Sequence, residues 1–170
     1  GGAAGLMAAA GASETFKKNG TEGRVLVLEK MPRPGRKIMI TGKGRCNFTN
    51  VKPWNEFSAH IHPKPNFLKP AFYNLTSEGM IGFLDAQGME SVVERGDRAF
   101  PASHLASDVV DALVRAATRS GSEVLCGKSV SGISRGEDFE VVCDDGSIYT
   151  CRKLIIATGG LSYPKTGSTG

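Results

Sequence analysis

The chain has 170 residues, 40% hydrophobic and 22% charged, the composition of an ordinary globular domain rather than a disordered or fibrous chain. Its uncharged opening, Gly1 to Ser13, is too short to cross a bilayer and lacks the basic start and leucine-rich centre of a secretory signal. Basic residues exceed acidic ones by 21 − 17 = +4, too small an excess to indicate nucleic acid by itself. Four cysteines without a CxxC pair or metal-ligand spacing predict a reduced, cytoplasmic protein with no metal site.

Gly1-Gly-Ala-Ala-Gly5 leads into Leu6, Ala9, Ala10, Ser13 and Phe16 on one helical face, and Lys17, Lys18, Asn19 and Gly20 form a stop, predicting a helix over 3–18. Arg24-Val-Leu-Val-Leu-Glu29 is a continuous apolar run ended by an acid, the pattern of a parallel strand buried on both faces. Residues 31–65 hold five of the eight prolines and are expected to be a long, ordered, functional loop. Two short helices are predicted over 66–75 and 77–87, paired strands over 89–100 turning at Gly96-Asp97, and an amphipathic helix over 103–119. Short strands over 123–126, 129–134, 139–143 and 147–151 follow, and a last apolar strand over 153–157 runs into Thr158-Gly-Gly160. This alternation predicts an α/β Rossmann-like domain over 1–170, with a parallel central sheet and a β meander inserted at 123–152.

A dinucleotide-binding loop of the form G-x-G-x-x-G uses one glycine for a tight turn, one for close approach to the diphosphate and one for helix packing. With Gly2 and Gly5 as the second and third glycines, the first falls before residue 1, so the chain is expected to start inside the motif, after its first strand. A flexible tail before an alanine-rich helix is the alternative. Glu29 lies 29 − 5 = 24 positions after Gly5, near the ~20 of the fingerprint. There a carboxylate accepts hydrogen bonds from ribose hydroxyls and repels a 2′-phosphate, which fits FAD or NAD. Ala157-Thr-Gly159 offers small residues beside a cofactor, with a plain strand-to-loop turn as its alternative.

Several blocks resemble one family. Gly1-Gly-Ala-Ala-Gly-Leu-Met-Ala, Leu28-Glu-Lys, Gly35-Arg-Lys-Ile-Met-Ile-Thr-Gly-Lys-Gly-Arg-Cys-Asn-Phe-Thr-Asn50, Arg98-Ala-Phe-Pro-Ala-Ser103 and Ala157-Thr-Gly-Gly-Leu-Ser-Tyr-Pro-Lys-Thr-Gly-Ser-Thr-Gly170 are similar to bacterial FAD-dependent flavoproteins of the aminoacetone oxidase and 3-dehydro-bile-acid reductase-like type. The pattern departs at Ala99 and at His104-Leu105, where the family suggests a bulkier aliphatic residue and Asp-Lys. The resemblance implies a two-dinucleotide-fold FAD domain seen in its N-terminal portion, incomplete at both ends. It implies Gly2, Ala3, Ala4 and Gly5 along the diphosphate, Glu29 and Lys30 at the adenosine ribose, and residues 36–47, including Thr41, Gly42 and Gly44, running toward the flavin. Val130 would meet adenine through its backbone, and Ala157, Thr158 and Gly159 would pass near the cofactor.

A reduced flavin carries negative charge, which a nearby cation stabilises. Seven cations and no acid lie between Lys30 and Lys52. Arg45 is the expected partner of that charge, with Lys43 and Arg36 weaker candidates; Arg36 and Lys37 suit the diphosphate as well. Arg45 beside Cys46 would favour a thiolate, although a packing role for Cys46 is weighed above a nucleophilic one. Asn47 suits the polar edge of the flavin, while His60, His62 and His104 sit in no motif. The expected function is an FAD-dependent oxidoreductase moving hydride or electrons between a small organic substrate and the flavin, with NAD(P)H as a transient visitor and the piece alone a candidate for inactivity. An NAD-dependent dehydrogenase using Glu29, or a flavoprotein acting on or binding RNA, are the alternatives. No stacking aromatics interleave with the basic run, so no nucleic-acid partner and no membrane are expected.

Overall fold

The computed structural model describes residues 1–168; Thr169 and Gly170, which end the last resemblance block, lie outside the described residues. The elements are α1 Ala3–Lys18, β1 Leu26–Glu29, α2 Arg36–Met39, β2 Thr49–Asn50, α3 Trp54–Phe57, α4 Lys69–Asn74, α5 Ser77–Asp85, β3 Ser91–Glu94, β4 Arg98–Pro101, α6 Ala106–Arg119, β5 Glu123–Cys126, β6 Val130–Arg135, β7 Phe139–Cys143 and β8 Ile148–Cys151. They divide into two compact units: Gly1–Ile38 with the chain from Leu113 onward, and Met39–Ala112.

In the first unit α1 buries Leu6, Ala9, Ala10 and Ser13, the i, i+3, i+4, i+7 stripe that its sequence predicts. Lys17 and Lys18 stand in the last turn, where cations oppose the helix dipole. α1 packs on β1, and β1 pairs in parallel with β5 from Leu26↔Glu123 to Glu29↔Cys126. A polar contact pins this layer from inside. Ser122 Oγ donates to Ala9 O at 3.0 Å, so the 2.8 Å contact between the Ser13 and Ser122 hydroxyls requires Ser13 to be the donor. Both serines are buried.

Of the meander expected over 123–152, β6, β7 and β8 make an antiparallel sheet in that order, whereas β5 at its start pairs in parallel with β1 and belongs to the central sheet. Its β7–β8 turn is closed by Asp145, which accepts from Lys128 Nζ at 2.6 Å, Ser147 Oγ at 2.6 Å and Ser147 N at 3.0 Å. Those bonds, the lysine's first, hold its carboxyl well below the usual carboxylate range.

One predicted strand is not formed. Residues 153–157 make no ladder with any described strand, and Ile155 and Ile156 are 65% and 62% exposed. An apolar strand of a parallel sheet is defined by its neighbours, and among the described residues β1 has a partner on its β5 side alone.

In the second unit β2, β4 and β3 form an antiparallel sheet in that order, with Thr49↔Ala99 and Val92↔Phe100 in register. Thr76 caps α5 by accepting from Gly79 N at 3.1 Å. The segment read as one long loop holds α2, β2 and α3. Pairing of the two-residue β2 with β4 joins positions about fifty apart and leaves no local periodicity. Trp54 of α3 meets Phe72 of α4 edge-on at 5.1 Å, and Phe57 lies 5.4 Å from the same ring. The helix predicted to begin at 103 begins at Ala106, because His104 is left-handed with φ 59 and its N–H closes a turn on Pro101 O at 2.9 Å.

Replacing Ser122 by Ala strands the Ser13 hydroxyl in the core and is expected to cost about 1–3 kcal/mol. The Ser13→Ala/Ser122→Ala double variant should recover part of that loss, a non-additivity that chemical denaturation reads directly.

Candidate functional site

The first unit carries the residues predicted for the dinucleotide. Gly2 is the extended N-cap of α1, with no side chain capping the helix and no acid in its first turn. The first helical bond is Leu6 N to Gly2 O at 3.0 Å, so the N–H groups of Ala3, Ala4 and Gly5 have no carbonyl within the helix. Ala3 and Ala4 are exposed. Free N–H groups at the positive end of a sixteen-residue helix form a seat for an anion such as a diphosphate.

Glu29 ends β1 beside this seat, its side chain 14% exposed. Oε1 accepts from Met31 N at 2.7 Å and Oε2 lies 3.0 Å from Gly1 N. Oε1 thus holds the Met31 N–H and Oε2 pairs with the amino group of Gly1, and each oxygen keeps a lone pair for a diol hydroxyl. The approach demands glycine: a Cβ on Gly1 would fall 2.5 Å from Glu29 Oε2. Gly35 N donates to Gly1 O at 2.8 Å and fixes the loop from its other side. Lys30 is exposed next to the carboxylate. The donor set of free helical N–H groups with a partly buried acidic acceptor fits the diphosphate and ribose of an adenine dinucleotide.

Residues 157–168 fold back on this region. Gly5 faces Ala157, its would-be Cβ 3.5 Å from the alanine Cβ. Ser168 Oγ lies 3.0 Å from Thr158 O and also reaches Gly160 O. At Gly159, φ +80, a Cβ would sit 2.6 Å from that hydroxyl; at Gly167, φ +96, one would sit 2.6 Å from Met31 Cγ. Lys37 Nζ donates to Gly160 O at 3.1 Å, so the cation assigned to the diphosphate holds the 157–168 loop, while Arg36 is exposed. Val130 opens β6, an edge strand of the meander, and is 42% exposed. Sequence reasoning assigned no role to Ser168, Gly167 or Met31; the first two lie within a flagged block, and Met31 follows Leu28-Glu-Lys.

The second unit carries the residues predicted for the flavin end. Thr41–Gly44 is a 3-10 turn broken by Gly42 at φ 54 and Lys43 at φ 57, and Cys46 is also left-handed at φ 56. The turn closes through Cys46 N to Thr41 O at 3.1 Å. A Cβ on Gly42 would press to 3.0 Å from Asn47 N. Asn47, oriented so that its amide nitrogen donates, reaches Thr49 O at 2.8 Å and Ala99 O at 3.2 Å; its oxygen is left to accept.

Arg45 does not face open solvent as a bare cation. Its guanidinium lies 4.3 Å over the Phe100 ring, forms an ion pair with Glu94 Oε1 and contacts His104 Nδ1 at 2.8 Å. The thiolate expected beside it is corrected by burial: Cys46 is 4% exposed, and desolvation pushes its thiol up against the smaller, opposing hydrogen bond with Thr41. Glu94 stands 94 − 45 = 49 positions from Arg45, and no sequence signal joined them. Among the described residues no cluster of His, Cys, Asp or Glu is suited to a metal ion, and no helix is long and apolar enough to cross a membrane. Iodoacetamide should alkylate Cys46 at pH 8 more slowly than the half-buried Cys151, with its rate rising only above the ordinary thiol range; peptide mass spectrometry over time checks this.

The chain is similar in sequence to known proteins. Over 168 residues the chain is 31% identical to the ribosomal RNA dihydrouridine synthase of Escherichia coli strain K12, covering 99% of this chain and 40% of that protein. The Haemophilus influenzae protein of the same name is 30% identical over 172 residues, 99% and 41% covered. The 3-dehydro-bile acid delta(4,6)-reductase of Clostridium scindens is 27% identical over 170 residues, 100% and 40% covered. A solved structure, the Diels-Alderase PyrE3 of pyrroindomycin biosynthesis, aligns with a TM-score of 0.49 at 12% identity, over 88% of this chain and 29% of that one. The chain therefore spans about two fifths of the length of the curated relatives it matches. The model of the HI0933-like protein Rossmann domain matches residues 1–170, and the chain belongs to that family of FAD-binding oxidoreductases.

Proposed function

We propose that residues 1–170 are the N-terminal portion of the FAD domain of a flavin-dependent oxidoreductase. The observation that carries this reading is Glu29, a nearly buried carboxylate at the end of a parallel strand, held against the glycine loop that opens α1. In this reading the N–H groups at Ala3, Ala4 and Gly5 hold the diphosphate, and Gly2 lets the backbone come close. Glu29 accepts from the adenosine ribose, Lys30 lines its rim, and Val130 offers edge-strand backbone to adenine. Among the described residues β1 is paired on its β5 side alone and 153–157 joins no ladder, which is in keeping with a sheet that these residues do not complete.

Bound FAD would supply two-electron exchange with a substrate. The chain's own contribution at that end is positive charge and shape. Arg45 holds a cation for the negative charge of the reduced ring, Thr41, Gly42 and Gly44 keep the turn narrow, and Cys46 packs as a neutral thiol. Asn47 keeps its amide oxygen as an acceptor. In the first unit, Ala157, Thr158 and Gly159 leave room for a cofactor. Lys37 and Arg36 support the 157–168 loop and the diphosphate side. NAD(P)H, in this reading, visits transiently as donor. Four free thiols, Cys46, Cys126, Cys143 and Cys151, support a reducing, cytoplasmic setting.

Two substrate classes follow from the relatives. A small organic substrate is in keeping with the bile acid reductase. RNA is favoured by a specific observation, the 31% and 30% identity to two proteins named as ribosomal RNA dihydrouridine synthases. That observation weighs against the expectation of no nucleic-acid partner drawn from the charge pattern.

The full-length protein purified without added cofactor should be yellow and release FAD, and Glu29→Ala should weaken FAD binding about 10- to 100-fold, the loss of a charge-assisted hydrogen bond. A colourless protein that takes up no FAD overturns the reading. Incubation with NADPH and either unmodified ribosomal RNA or a small enone separates the substrate classes. RNA turnover that falls steeply between 50 and 200 mM salt, as phosphate contacts dictate, supports the RNA reading, and turnover of the enone alone removes it.

A further inference from the structure

Within the second unit, two side chains from separate segments converge on one nitrogen of Arg45. Arg45 follows the Thr41–Gly44 turn, Glu94 ends β3, and His104 occupies the left-handed turn between β4 and α6. Arg45 Nη2 carries two hydrogens. Glu94 Oε1 accepts one and His104 Nδ1, at 2.8 Å, accepts the other. The buried Phe100 ring forms the floor under the guanidinium. Both Nη2 hydrogens are thereby committed, and any positive edge offered to another group comes from Nη1 and Nε.

The pairing also dictates the state of the histidine. A guanidinium is a donor only and stays protonated, so His104 Nδ1 must be the bare nitrogen of a neutral ring whose proton sits on Nε2. Protonating Nδ1 would aim N–H at N–H. Glu94 Oε1, 3.8 Å from His104 Nδ1, is the acceptor then within reach, and it is the same oxygen that holds Arg45. Two further charged groups lie near the cluster: Arg98, whose guanidinium carbon is 5.7 Å from the centre of the Phe100 ring, and Asp108, tied to the hydroxyl of Ser103 next to His104.

We propose that Glu94 and His104 are positioning residues that aim the Arg45 guanidinium. The inference rests on the reading of Arg45 as the cation at the flavin end. Glu94 and His104 touch no cofactor in this scheme; they act through Arg45, and the oxidoreductase loses its aimed cation when either side chain is removed.

The test uses the full-length flavoprotein. His104 is followed by 15N NMR of its ring, and flavin reduction by its substrate or nicotinamide donor is followed by stopped-flow absorbance. The wild-type ring should show the Nε2–H tautomer, and R45Q, which removes the donor to Nδ1, should lose that preference. The reduction rate should fall about tenfold in E94A and in H104A, and H104Q, which retains an acceptor for Arg45 Nη2, should recover most of the loss. An Nδ1–H ring, a reduction rate unchanged in both E94A and H104A, or no rescue by H104Q overturns the proposal. The flavin absorption spectrum keeps the two readings apart: a protein without bound FAD refutes the reading of the whole site, whereas a normal spectrum with an indifferent His104 refutes the clamp alone.

Discussion

The parallel pairing of β1 with β5 is the constraint on which the first unit depends. It joins Leu26–Glu29 to Glu123–Cys126, almost a hundred positions apart, and thereby sets where the carboxyl end of β1 lies. α1 covers this pair through Leu6, Ala9 and Ala10, and the Ser13–Ser122–Ala9 chain of hydrogen bonds ties helix to strand where plain apolar packing would leave the register loose. Once β1 is held, Glu29 emerges at its end beside the N-terminus of α1. The free N–H groups of α1 and the acidic acceptor then stand next to each other, with Glu29 Oε2 3.0 Å from Gly1 N where the glycine loop opens the helix.

Glycine supplies the second constraint around that point. Gly1 presses on Glu29, Gly159 on Ser168 and Gly167 on Met31, each at a distance no Cβ allows. Glycine is abundant in the chain, 22 of 170 residues, and these three positions show part of the reason. Backbone runs against side chains in the region where a dinucleotide backbone would have to fit.

The second unit solves a different problem, that of carrying a cation without leaving it loose. A run of basic residues on a glycine-rich turn would ordinarily be a solvated, mobile charge, of little use for stabilising a developing anion. Here Phe100 from β4, Glu94 from β3 and His104 from the following turn converge on Arg45, so its direction is set by three segments at once. The neighbouring Cys46 is buried by the same turn and stays a thiol, which separates the packing member of the Arg-Cys-Asn trio from its charged one.

The periodicities of α1, α5 and α6, the strand ending in Glu29 and the strands β6 to β8 were all legible along the chain, because each is a local pattern of burial and turn chemistry, whereas the assignment of β5 to the sheet of β1 and not to the meander was not. The glycine loop with its downstream acid was legible too, since the fingerprint is a spacing. Pairing was not. The apolar run 153–157 reads as a strand by composition, yet a strand exists only through its neighbours, and the described residues provide none. β2 is two residues whose only evidence is β4. The sequence by itself determined the class of the fold, the acid and glycines suited to an adenine dinucleotide, and Arg45 as a candidate cation. Only the tertiary structure decided that Lys37 holds the 157–168 loop, that burial outweighs a neighbouring charge at Cys46, and that Glu94 and His104 meet Arg45. Those outcomes are contacts between distant positions and the dielectric they create, and neither leaves a period or a spacing in the chain.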